Sequence, residues 1–199
     1  MSPRAKVKAG GIVRTSIDST WRTPEFVLEH ARKYFGGPIP FDPATGRENP
    51  TQALRFCAGP EGTLFAGESL ESKNGLEVEW IEHGPTWVNP PFSKAWTVKI
   101  SEESAQGAEI VALLPCNRFE EPWFQAMFAQ APVVCWVNAT PFQQDIKGNK
   151  KRIAFISTKD GKALDRNPFA SMIVGFHVEV DKFREAFGPL GLVHDLGVP

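Results

Sequence analysis

The sequence predicts an α/β protein, with one sheet, helices packed on both faces and an antiparallel pair of strands at one edge. Three observations carry this. Short apolar runs alternate with segments of helical periodicity, as in a sheet built through crossover helices. Ile110-Val111-Ala112-Leu113-Leu114 is a continuous apolar run, of the kind buried on both faces of a parallel sheet. The last predicted strands, Arg152–Ser157 and Ser171–Val178, follow each other without a long helix between them, which places an antiparallel pair at the edge.

The elements follow in order. Thr23-Pro24 before Glu25 predicts a helix start, with Thr23 as N-cap and Pro24 in the first turn. Phe26, Val27, His30, Ala31 and Tyr34 recur at helical spacing until Gly36-Gly37 stops the helix. Pro38–Phe41 reads as a short strand ending at Asp42, before the turn Pro43-Ala44-Thr45-Gly46. A helix is expected near Thr51–Phe56 and a strand at Thr63–Ala66, and residues 67–75 read as loop. Thr86-Trp87-Val88 is an apolar strand running into Asn89-Pro90-Pro91-Phe92. Ser93–Ala105 reads as a helix and Glu109–Pro115 as a strand. Glu120–Gln130 reads as a helix with Trp123, Phe124, Met127 and Phe128 on its apolar side, more a core pattern than a nucleic-acid platform. Val133–Val137 is another buried strand, Gln143–Arg152 is polar and basic, and Asp181–Phe187 is a short final helix. In such sheets ligands bind beyond the C-terminal ends of the strands. Both special turns, after Phe41 and after Val88, fall at such ends.

At 199 residues the chain fits one domain, residues 21–199, preceded by a basic arm at residues 1–20. The arm carries Arg4, Lys6, Lys8 and Arg14, and reads as a solvated tail or a contact for a polyanion. With 42% hydrophobic and 23% charged residues, composition excludes a disordered or collagen-like chain. The apolar runs are far too short for a membrane span, and residues 1–11 do not read as a signal peptide. A net charge of −1 argues against coating nucleic acid by bulk charge, but leaves room for a local basic groove. Cys57, Cys116 and Cys135 form no C-x-x-C and read as reduced, buried thiols of a cytosolic protein. His30, His83, His177 and His194 show no ligand spacing, so no metal site is expected.

Asn89-Pro90-Pro91-Phe92 is the stretch that carries chemistry. Each proline fixes its own φ and restrains the residue before it, so the turn is stiff. It donates no N–H at 90 or 91. What it offers is two acceptors, the Asn89 side-chain oxygen and the Pro90 carbonyl, beside the Phe92 ring. Such a set can hold an exocyclic amino group while the ring stacks on its heterocycle. An aromatic amine is a poor nucleophile because its lone pair is delocalised. Acceptors aimed at its hydrogens favour a pyramidal nitrogen and stabilise the positive charge that grows during attack. The other reading of the tetrapeptide is proline punctuation around a buried Phe.

Asn-Pro-Pro-Phe resembles the catalytic motif of amino-directed, S-adenosylmethionine-dependent methyltransferases. The order of the other signals resembles the small phage-encoded DNA N6-adenine methyltransferases. These signals are Trp21-Arg22-Thr23-Pro24, Phe41-Asp42-Pro43-Ala44, Asn74-Gly75-Leu76 with Trp80, and Trp87-Val88-Asn89-Pro90-Pro91-Phe92. The likeness runs on through Leu113-Leu114-Pro115 and fades at Arg152-Ile153-Ala154-Phe155, spanning roughly residues 21 to 177. It implies a Rossmann-like methyltransferase sheet, S-adenosylmethionine as cofactor and DNA as partner, in the cytoplasm of a bacterial host. It further implies that Asn89, Pro90, Pro91 and Phe92 hold the target adenine. Trp21, Thr23 and Pro24 would lie by the methionine part of the cofactor. Asp42, with Pro43 and Ala44, would meet its amino end, and Asn74 would sit by the base or the cofactor. The chain departs from the wider pattern: its turn after Asp42 has one glycine, and Asn74 stands where the family often has an acid. Asp42 also reads as a turn cap. Glu68 is a candidate ribose acceptor or an exposed surface residue.

An adenine stacked in a duplex cannot reach such a turn, so it must be flipped out, at a cost of about a few kcal/mol. Lys147, Lys150, Lys151 and Arg152 are the candidate groove wall, or a solvated loop. Gln143 and Gln144 could read base edges. The short chain predicts a short recognition site, with residues 139–152 as the place for it. The same turn chemistry fits cytosine N4, RNA or a protein glutamine amide. A catalytically silent DNA-binding protein on the same fold, and a plain α/β domain with a structural Pro-Pro turn, are the readings from other classes.

Overall fold

Successive residues of Ile110-Val111-Ala112-Leu113-Leu114 are buried on opposite faces of a sheet, and both faces are covered. The computed structural model describes residues 21–46, 48–57, 70, 73–130, 133–138, 140–144, 150–157, 161–163 and 169–197. For residues 21, 140–144, 150 and 151 it gives the backbone alone. The chain begins with β1 (Trp21–Arg22), α1 (Glu25–Phe35), β2 (Phe41–Asp42) and β3 (Arg55–Phe56). A short 3-10 turn at Trp80–His83 leads into β4 (Thr86–Val88), α2 (Lys94–Ala105) and β5 (Ile110–Pro115). Then come α3 (Pro122–Phe128), β6 (Val133–Val137), β7 (Thr140–Gln144), β8 (Lys150–Lys151) and β9 (Ile156–Ser157). The chain closes with β10 (Ser171–Phe176), α4 (Val180–Phe187) and β11 (Gly191–Asp195).

Seven strands form the main sheet in the order β11-β6-β10-β5-β4-β2-β3. β3, β2, β4 and β5 are parallel; β10 is antiparallel to both β5 and β6, and β11 to β6. Helices α1 and α4 cover one face, where Val27, Leu28, Ala31, Phe183 and Phe187 meet Trp87, Val111, Leu113, Cys135 and Ile173. Helices α2 and α3 cover the other, where Trp96, Ile100, Phe124 and Met127 meet Val88, Ala112, Leu114, Val134 and Met172. This alternation fixes the register, because a one-residue slip of β5 would exchange its two buried faces.

Local chemistry sets the ends of α1. Gly36 takes a left-handed φ of 74°, and the Gly36 and Gly37 N–H groups bond back to Lys33 and Arg32 carbonyls. At its start the residue in the cap position is Pro24, with no side-chain cap. The expected Thr23 cap fails because the Thr23 hydroxyl is engaged elsewhere, by Asn89.

Four further expectations change. The segment at Thr51–Phe56 is not helical; it ends in β3, drawn into parallel pairing with β2 through Phe41↔Arg55 and Asp42↔Phe56. Arg152–Ser157 does not join the main sheet. Its last two residues pair with β1 instead, Trp21↔Ser157 and Arg22↔Ile156. Ser171–Phe176 is therefore no edge strand but lies between β5 and β6, and the antiparallel edge is β11 on β6. Cys57 and Cys135 are buried as expected, while Cys116 is only partly so; all three are free thiols. The strand expected at Thr63–Ala66 and the arm at residues 1–20 lie outside the described residues.

Candidate active site

The sheet order reverses direction between β2 and β4. From β2 the chain moves outward to β3, and from β4 it moves the other way to β5. At such a switch point the strand ends open a crevice, and ligands bind there. Phe41 pairs with Thr86, so β2 and β4 run side by side and end on the same edge of the sheet. Asp42 leaves one strand at this edge, and Asn89 leaves the next.

Asp42 is buried, and its carboxylate organises its own turn. The Ala44 N–H donates to Oδ1 at 2.9 Å, and the Thr51 hydroxyl donates to Oδ2 at 2.8 Å. Burial outweighs these two bonds and pushes the carboxyl up to about 6. Asp42 is thus the turn cap that one sequence reading expected. Each oxygen also keeps acceptor capacity beyond its one bond. Thr45, in the same turn, is buried, and its Oγ1 has no partner among the described residues. A buried hydroxyl without a partner costs about 1–3 kcal/mol unless a ligand or water meets it. A carboxylate that can accept from an ammonium group and a hydroxyl without a partner among the described residues, in one turn, fit the amino end and a polar edge of an amino-acid-bearing cofactor.

A second turn braces this one. Gly75 packs on the Pro43 backbone so closely that a Cβ there would lie 1.9 Å from the Pro43 carbonyl oxygen. Asn74 holds the turn open, its Oδ1 accepting from the Leu76 N–H at 3.1 Å. The Gly75 carbonyl accepts from Trp80 Nε1 at 2.8 Å, and the Trp80 N–H donates to Glu103 Oε2 at 2.8 Å. Glu103 is fully buried and its other oxygen meets Lys99 Nζ at 2.6 Å. Asn74 therefore belongs to the Asp42 side of the site, and its side chain works as a turn cap.

Pro90 is buried, Asn89 and Pro91 are half-buried, and Phe92 is 42% exposed. Asn89 Nδ2 donates to Thr23 Oγ1 at 2.9 Å, which turns the amide so that its oxygen is the end left for a ligand. Among the described residues, neither Asn89 Oδ1 nor the Pro90 carbonyl receives a donor. Phe155, buried, stands perpendicular to the Phe92 ring with centroids 6.3 Å apart. It is held there by the β1–β9 pairing that follows it immediately. Arg22 adds an exposed ion pair to Glu48, beyond the Asp42 turn. The β1–β9 clasp thus joins three segments distant in sequence around Asn89.

Beside the turn lies an open apolar hollow, lined on one side by Pro90, Pro91 and Phe92 and on the other by Leu114, Arg118 and Trp123. Of the basic cluster, Arg152 is exposed and close enough to Cys116 to oppose the effect of burial, which pushes that thiol up to about 11. Lys150 and Lys151 form β8 against β7, which includes Gln143 and Gln144, and Lys147 lies outside the described residues, as does Glu68. The backbone of Trp21 is in the clasp. Sequence reasoning missed Thr45, although it follows Asp42-Pro43-Ala44 directly, and it missed Phe155 as the support of Phe92.

An open α/β sheet with two such turns at its switch point defines a protein that binds a ligand across adjacent strand ends. The sequence profile of the family DNA N-6-adenine-methyltransferase (Dam) matches residues 12–188, and the chain belongs to that family. Over 164 residues it is 28% identical to a DNA N-6-adenine-methyltransferase of Escherichia phage T1, a match covering 79% of this chain and 62% of that protein. The chain thus matches less than two thirds of that relative's length. Among the described residues, no three His, Cys, Asp or Glu side chains are grouped as metal ligands. No described helix is long and apolar enough to cross a membrane.

Proposed function

We propose that the chain transfers a methyl group from S-adenosylmethionine to the N6 amino group of adenine in DNA, within a bacterial host's cytoplasm, on a Rossmann-like sheet. One observation carries the reading: Asn89 Oδ1 and the Pro90 carbonyl, two acceptors without donors among the described residues, stand beside a half-exposed Phe92 just beyond the strand next to Asp42's. Family membership and the phage relative support the same chemistry.

When bound, S-adenosylmethionine supplies a methyl group on a sulfonium sulfur, a leaving group that needs no acid. Asp42 and Thr45 are the residues that hold the cofactor's polar end, with Trp21, Thr23, Pro24, Pro43 and Ala44 forming the surround. The Phe92 ring stacks the adenine, returning about 1–3 kcal/mol of the unstacking cost. Asn89 and Pro90 would accept from the two N6 hydrogens and stabilise the positive charge that develops on the nitrogen as it is methylated. The methylated amine is acidic and releases its extra proton to solvent, so the turn needs no general base. Lys147, Lys150, Lys151 and Arg152 supply phosphate contacts, and Asn74 acts through the Asp42 turn.

Nucleoside mass spectrometry on DNA from a methylation-deficient host expressing the chain tests the reading. N6-methyladenine with the wild type and none with Asn89→Ala is the expected result. No modified base in either, with cofactor binding intact by calorimetry, would move the activity to another amino target.

A further inference from the structure

Arg118 and Trp123 belong to no motif and to neither turn, yet both line the hollow that opens beside Phe92. Arg118 follows β5 by three residues, on the same edge of the sheet as Asn89, and is exposed. Among the described residues nothing pairs with its guanidinium; its backbone carbonyl alone is used, by the Glu121 N–H. The remaining lining is mostly apolar, Pro90, Pro91, Phe92, Leu114, Pro115 and Phe124, with the hydroxyl-bearing Ser93 and Thr97 beside them. Trp123 is half-buried and oriented, its Nε1 donating to Glu121 Oε2 at 3.2 Å and its ring meeting Phe124 edge-on at 5.8 Å.

We infer that this wall is part of the DNA site, with Arg118 binding a backbone phosphate next to the flipped adenine and Trp123 closing the hollow on the base side. The inference rests on the reading above and names the surface that holds the strand. Its physical grounds are shape and charge. An open hollow whose lining includes a phenyl and an indole ring offers aromatic faces against which a flat base can stack. A base leaving a stack takes its phosphates to the mouth of whatever slot receives it. A guanidinium at that mouth, without a partner among the described residues, matches a single phosphate in charge and geometry. In a chain of net charge −1, such contacts have to be local.

The test is the salt dependence of binding of the full chain to adenine-containing oligonucleotides with varied flanking sequences, for wild type, Arg118→Gln and Lys33→Gln. Lys33 lies in the last turn of α1, paired with Glu185, and serves as a control for lost charge. Arg118→Gln is expected to reduce the slope of log K against log salt by about 0.9 on a duplex. It should weaken all sequences alike and leave calorimetric cofactor affinity unchanged. Trp123→Leu is expected to raise the KM for DNA with the slope unchanged. An Arg118→Gln slope equal to wild type, or equal to Lys33→Gln, overturns the inference while wild-type methylation stands. A loss confined to one flanking sequence overturns the phosphate assignment in favour of a base edge. If the wild type neither binds nor methylates DNA, the function proposed above fails and this inference with it.

Discussion

Asn89 and Thr23 are joined by a 2.9 Å hydrogen bond from the Asn89 amide nitrogen to the Thr23 hydroxyl. The bond spans 66 residues of sequence and decides which end of the amide is left without a protein partner among the described residues. Thr23 is 9% exposed, so solvent competes little for it. Thr23→Val keeps the shape and removes the acceptor. Its kcat is expected to fall about tenfold at saturating cofactor and DNA, one net hydrogen bond's worth of orientation, with Thr23→Ser restoring the rate. Equal rates for all three would show that the amide orients itself. Asn89→Ala removes one charge-stabilising acceptor outright and is expected to cost about 100-fold or more in methylation, with cofactor affinity preserved.

Phe92 is expected to contribute to base capture and little to stability. The ring is 42% exposed and touches Phe155 at one side. Phe92→Ala should weaken DNA binding by about 1–3 kcal/mol with only a small shift in Tm. A large Tm loss with unchanged DNA affinity would make the ring a core residue.

Asp42 makes a pH signature. Its carboxyl is held up at about 6 by burial, against an ordinary 3.8. Between these values the native chain binds a proton that the unfolded chain has released, so this group lowers stability as pH rises. The loss begins near pH 4 and is complete above pH 6, reaching about 3 kcal/mol. Asp42→Asn is expected to lack that decline and to be the more stable protein at pH 7.5, by urea unfolding at pH 4.5, 5.5 and 7.5. The same carboxylate must be ionised to meet a cationic amino group. Cofactor affinity of the wild type should therefore fall below pH 6, and Asp42→Asn should bind weakly at every pH. A variant that binds the cofactor like wild type would remove Asp42 from the site.

Gly75→Ala is expected to destabilise by about 1–3 kcal/mol and to weaken cofactor binding together with it. The added methyl would overlap the Pro43 backbone, which cannot rotate aside as a side chain could. Parallel thermal melts and calorimetry would check this. Lost stability with intact affinity would mean that the Asp42 turn holds its shape unbraced.

The stiff turn at Asn89–Phe92 was legible in the sequence because prolines restrict backbone wherever they stand, and Val88 before it marks a strand end. The buried run of β5 was legible for the same local reason. What escaped is non-local. β1 and β9 are two residues each, and neither has a pattern without the other; only the pairing Arg22↔Ile156 makes them strands. Thr23 has the local signature of a helix cap, yet its hydroxyl met an amide far along the chain. β11 alternates Leu192, Val193 and His194 on a half-exposed edge, with too little apolar content to announce itself.

The β1–β9 clasp has a practical corollary for anyone handling the protein. Trp21 and Arg22 come early in the chain, where tags are attached and trimming is tolerated in most proteins. Here those two residues hold down the segment behind Phe155, and so the neighbouring Phe92 ring. A cut after Arg22 would remove the partner strand of β9 and loosen the support of Phe92, although Asp42 and Asn89 to Phe92 remain present. A fusion partner meant to guide methylation to chosen sites is better joined beyond β11, on the opposite flank of the sheet from β2 and β3.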